Sequence, residues 1–87
     1  MYENQKNVQS VDFDDMYMEL GNAIVLQAVK DYRRALKKLA KFPEDYVARR
    51  TKREVERFFR GSFFSAITNL HPEALIKKLN DEVAGYA

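Results

Sequence analysis

The chain has 87 residues, no cysteine and a formal net charge of +2 at pH 7. That length supports one small domain with a thin core, and the lack of cysteine excludes disulfides and thiolate metal sites. No apolar run approaches the roughly 20 residues of a membrane span, and MYENQKNVQSVDFDD lacks the basic-then-apolar order of a signal segment, so a cytoplasmic protein with no membrane partner is expected.

Residues 1–11 are polar and lack periodicity, which predicts a flexible N-terminal tail and leaves 12–87 as a single helical domain. A long amphipathic helix follows. Asp12 or Asp14 can cap it, and Asp15 and Glu19 suit its positive end. On a wheel of 100° per residue, Tyr17, Gly21, Ile24, Val25, Ala28, Val29, Tyr32, Ala35, Leu36, Leu39 and Ala40 occupy an arc of about 160°. From Asp14 to Lys41 such a helix is about 42 Å long. That is too long for a compact domain of this size, whose radius of gyration should be about 12 Å. Three outcomes fit: the helix projects, it bends at Gly21-Asn22, or it pairs with another chain. Gly21 also lies on the apolar arc, where it permits close helix contact.

Phe42-Pro43 ends this helix, because the residue before proline avoids the α region. Pro43 then suits the first turn of an antiparallel second helix running to about Arg60, with Glu44 and Asp45 at its positive end. Its apolar residues are Val47, Ala48, Thr51, Val55, Phe58 and Phe59, and Gly61 stops it. Ser62 can cap a short third helix, Phe63 to Thr68. His71-Pro72 opens a closing fourth helix with Leu75, Ile76, Leu79 and Val83 on one face, ending at Gly85. No segment alternates with period two. The fold class is therefore all-α, with a core comprising Ile24, Ala28, Tyr32, Leu36, Leu39, Val55, Phe59, Phe63, Ile67, Leu75 and Leu79.

Three stretches, NAIVLQAVKDYRRALKKL at 22–39, EVERFFRGSFFSAIT at 54–68 and PEALIKKLNDEV at 72–83, resemble a group of small uncharacterised helical proteins. Those proteins are encoded by phages, prophages and conjugative elements of Gram-positive bacteria. Gly61 and His71 stand where that group often has serine and aspartate, departures that touch caps and leave the core alone. The resemblance implies a phage or mobile-element accessory protein and implies no chemistry, since its motifs are helix-packing motifs.

Catalysis has little to stand on. His71 is the only histidine, and beside a helix-starting proline it reads as a cap or surface residue. No GxSxG, Walker-A, GxGxxG or HExxH pattern occurs. The cluster Asp12, Asp14, Asp15 and Glu19 lacks the glycine and bidentate glutamate of a calcium loop and reads as helix-dipole complementation. The expected protein is non-enzymatic, with no cofactor and no metal.

The charge distribution says more. Residues 1–29 hold one lysine against five acidic residues, a net −4, whereas residues 30–60 hold twelve Lys and Arg against five, a net +7. Lys30-Arg34-Lys38, Arg33-Lys37-Lys41 and Arg49-Arg53-Arg57 are like-charge rows at i, i+4, together costing about 1–2 kcal/mol if unscreened. Solvation alone accounts for many such runs, because Lys and Arg are good helix formers. Tyr46 and Leu26 interrupt these basic faces. The candidate partner or nucleic-acid surface is Lys30, Arg33, Arg34, Lys37, Tyr46, Arg49, Arg50, Arg53, Arg57 and Arg60. The leading expectation is docking on a host or phage protein, with replication or defence machinery as target class. The alternatives are sequence-tolerant DNA or RNA binding through residues 30–60, and a homo-oligomer in which the acidic end of one long helix meets the basic end of another.

Overall fold

The computed structural model describes the backbone of residues 2–86 and the side chains of residues 19–85. It contains α1 (Tyr2–Lys41), α2 (Tyr46–Phe59), α3 (Ser62–Ile67) and α4 (Pro72–Tyr86), and no strand among the described residues. The expected all-α bundle, with a long first helix, an antiparallel second, a short third and a closing fourth, is what the chain forms. α1 passes through Gly21-Asn22 without interruption. Its 40 residues account for the molecule's 57 Å long axis, against 22 and 21 Å across. The radius of gyration of 17.2 Å exceeds the roughly 12 Å of a compact chain of this length. The helix therefore projects from the bundle. It starts at Tyr2, earlier than Asp12 or Asp14, because residues 2–13 contain no proline or glycine to stop it. The side chains of the predicted tail, and capping by Asp12 or Asp14, lie outside the described residues.

The α1–α2 connection differs in detail from the sequence reading. The Asp45 amide donates to the Phe42 carbonyl at 3.0 Å, closing a turn over Pro43-Glu44. Asp45 is the N-cap, its Oδ1 accepting from the Ala48 amide at 2.8 Å. Helix α2 thus starts at Tyr46 instead of Pro43, because a capping aspartate satisfies an amide that the helix itself cannot. Gly61 does not end α2 through a left-handed conformation. At φ −89° and ψ 171° it is extended and serves as N-cap residue of α3, which displaces the expected Ser62 cap. The Ser65 hydroxyl instead donates to the Ser62 carbonyl. Helix α4 opens at Pro72 as predicted, with the His71 carbonyl accepting from Leu75. It continues through Gly85 to Tyr86, since Gly85 does not take up the left-handed backbone that would stop it.

The core forms where α1, α2 and α4 meet and α3 closes the end. Tyr32, Phe59, Phe64 and Leu79 are the largest fully buried side chains, surrounded by Val25, Leu36, Val55, Ile76 and Val83. Burying each such side chain contributes about 1.5–3 kcal/mol. Phe59 meets Tyr32 edge-on at 5.8 Å and Phe64 at 5.4 Å. Ala28, Leu39, Ile67 and Leu75 are half-buried. Three expected core residues are not in it: Ile24 is 45% exposed and Phe63 40%, and the half-buried Leu39 lies outside the cluster, beside Pro43 and Lys52. Ile24 lies at one edge of the α1 arc, and the partner helices leave it uncovered. Val47 is likewise 70% exposed at the edge of the α2 arc. A Cβ at Gly21 would lie 3.1 Å from Ile67 Cδ1, so glycine here is what lets α3 approach α1.

Candidate functional site

Helices α1 and α2 pack seam to seam, so the residues opposite each seam face different sides of the hairpin. This divides the predicted basic stripe. Arg34 and Lys37 line a groove of about 860 Å³ together with Lys38 and Lys41. Arg49 and Arg53 gather with Lys52 around Leu39 and Pro43 on another side. Tyr46, Arg50, Arg53 and Arg57 follow one another at i, i+4, i+7 and i+11, forming an exposed row along the outside of α2. Lys30 is exposed on α1.

Carboxylates engage much of the positive charge. Arg33 makes a two-point contact with Glu82 across to α4, at 2.9 and 3.1 Å. Arg60 does the same with Glu73 at 2.6 and 2.9 Å. The Arg33 hydrogen bond holds the Glu82 carboxyl below its ordinary range, and the Arg60 hydrogen bond does so for Glu73. Arg34 reaches Asp31, Arg50 reaches Glu54, and Arg49 sits 3.8 Å from Glu44. Opposite-charge pairs interleaved in the helices therefore offset part of the like-charge repulsion. Among the described residues Arg53 and Arg57 have no carboxylate within 4 Å, and Tyr46, at the head of their row, is 67% exposed.

A polar cluster that sequence reasoning missed ties three helices together. The buried Tyr32 hydroxyl donates to Glu56 Oε2 at 2.5 Å and accepts from Asn80 Nδ2 at 3.0 Å. Lys52 Nζ donates to the same Glu56 oxygen at 2.9 Å, and Asn80 also donates to the Ile76 carbonyl. Burial alone would raise the Glu56 carboxyl. The hydrogen bonds from Tyr32 and Lys52, with the charges of Lys52 and Arg60, outweigh it and hold Glu56 below the usual carboxylate range. Burial, followed by the hydrogen bond to Glu56, pushes the Tyr32 hydroxyl well above its ordinary value. This cluster is closed on itself, with no buried side-chain polar atom left unpaired among the described residues, and it has the character of a fold-specifying network.

The groove between α1 and α2 was also not anticipated. Ala35 and Ala48, 5% and 6% exposed, let the two backbones come close and form its floor. Phe42, Val47 and Thr51 supply apolar wall, and Asp31 and Asp45 are the acidic groups within its basic rim. The available signal was the small residue that each apolar arc carries, Ala35 on α1 and Ala48 on α2. His71 is exposed, and no group of three His, Cys, Asp or Glu among the described residues is placed to hold a metal ion. No described helix is long and apolar enough to cross a membrane. No family model, characterised protein or solved structure matches the chain.

Proposed function

We propose that this is a non-enzymatic binding protein that docks on another protein through the outer face of α2, centred on Tyr46 and flanked by Arg50, Arg53 and Arg57. The observation that carries this reading is the Tyr46 ring, two-thirds exposed at the head of a row of guanidinium groups. Tyrosine and arginine are the residue types that dominate the centres of protein interfaces. The ion pairing of Arg33, Arg34, Arg49, Arg50 and Arg60 favours protein docking over phosphate tracking, since each pair must be broken or shared before a phosphate can be neutralised. The resemblance to phage and mobile-element proteins supports an accessory role, acting on a host or phage protein of the replication or defence machinery.

The test is a tagged pull-down from host-cell lysate with and without nuclease. A partner retained after nuclease treatment and lost with Tyr46→Ala supports protein docking. Capture that disappears with nuclease, together with submicromolar binding of both DNA and RNA at physiological salt that Arg53→Glu abolishes, would establish the nucleic-acid reading in its place.

A further inference from the structure

The groove between α1 and α2 has a basic rim and a small-residue floor, and α3 and α4 leave it uncovered. Its α1 side is formed by Asp31, Arg34, Ala35, Lys37, Lys38 and Lys41. On the 100° wheel this sector continues toward the N-terminus through Ile24 and Leu20, which are 45% and 61% exposed. In the sequence the apolar positions go on at Tyr17 and Phe13, so that 13, 17, 20 and 24 are spaced by four, three and four. One side of a single helix therefore carries apolar residues in its N-terminal half and a basic groove in its C-terminal half. The N-terminal half is also acidic, with Asp12, Asp14, Asp15 and Glu19.

We infer that the occupant of this groove is the N-terminal half of α1 from a second copy of the chain, crossing antiparallel. Charge complementarity selects an acidic amphipathic helix as occupant, and this chain supplies one. The chain's own segment is excluded, because α1 is one continuous helix and cannot fold its first half back onto its second. Register selects the antiparallel arrangement. Positions whose numbers sum to about 51 then lie side by side, and a parallel pair would instead set acidic half beside acidic half. The same register sets segment 12–19, with its four carboxylates, along segment 32–39, which holds the groove cations Arg34, Lys37 and Lys38. Reversing the two copies reproduces the same contacts, so the interface is twofold and closed, and neither groove is left open. The association is independent of the Tyr46 surface, since Tyr46, Arg53 and Arg57 do not line the groove.

The experiment is analytical ultracentrifugation of the full chain from micromolar to millimolar concentration at low and high salt. A monomer–dimer equilibrium that weakens with salt is expected, because exposed ion pairs are screened. Two charge-reversed variants follow, Arg34→Glu with Lys38→Glu, and Asp12→Lys with Asp15→Lys, each checked for wild-type helicity by circular dichroism. Each variant alone should dimerise more than about tenfold more weakly, since like charges then face each other. Mixed together they should associate again, because each copy's groove then meets a complementary helix. A wild-type chain that stays monomeric throughout, or a dimer indifferent to both reversals, would overturn the inference.

Discussion

Replacing Tyr32 by phenylalanine removes one oxygen and leaves the ring. The edge-on contact with Phe59 is retained, so no cavity opens. What is lost is a hydrogen bond of 2.5 Å to an ionised Glu56 and the acceptor of one Asn80 N–H. A hydrogen bond to a charged group contributes about 1.5–3 kcal/mol. Asn80 keeps its bond to the Ile76 carbonyl, so its share of the loss is small. The expected destabilisation is about 1.5–3 kcal/mol, a large part of the roughly 4–13 kcal/mol available to a domain of this length. In urea, with m about 1 kcal/mol per M for so small a chain, the midpoint followed at the helical circular dichroism band should fall by roughly 1.5–3 M while m stays unchanged. The pH profile gives a second reading. Glu56 is held below its unfolded value, so its stabilisation is present above that value and lost as pH falls through the folded one. Tyr32 is held above its ordinary 10.0, so its stabilisation is present below pH 10.0 and lost as pH rises beyond it. Tyr32→Phe should remove this tyrosine's alkaline contribution and flatten the acid one. A loss under about 0.5 kcal/mol with an unchanged pH profile would show that the ring's packing, and not the hydroxyl network, joins α1 to α2 and α4.

Asp45→Ala should destabilise by about 1 kcal/mol through loss of the α2 cap, measurable as a lower urea midpoint, with Asp45→Asn retaining most of it. Gly21→Ala should fail to show the gain of about 1 kcal/mol that alanine brings to an open helical site, because its Cβ meets Ile67 at 3.1 Å. Arg53→Glu should leave thermal stability within about 0.5 kcal/mol, as expected for an exposed position. If this face does bind duplex DNA, the same change should lower affinity on every sequence and flatten the slope of log affinity against log salt by about 1.

Much of the fold is legible in the chain because the forces that delimit a helix are local. Pro43, Pro72 and the apolar spacing of α1 act within one or two turns, so element number, type and order follow from neighbouring residues. Local signals placed the ends less well. Asp45 displaced Pro43 at the start of α2, and nothing in residues 2–13 is strong enough to stop α1. The candidate site divided in the same way. Its cations can be read by position, but which of them meet carboxylates depends on where distant segments come together. Arg33 finds Glu82 and Tyr32 finds Asn80 only because α4 folds back across α1, at separations of 49 and 48 residues. An apolar arc of about 160° likewise says that a helix has partners, without saying which part they cover. Tertiary packing buried Val25 and left Ile24 exposed, and it opened a groove over Ala35 and Ala48, because three short helices cannot enclose the whole seam of a fourth that outruns them.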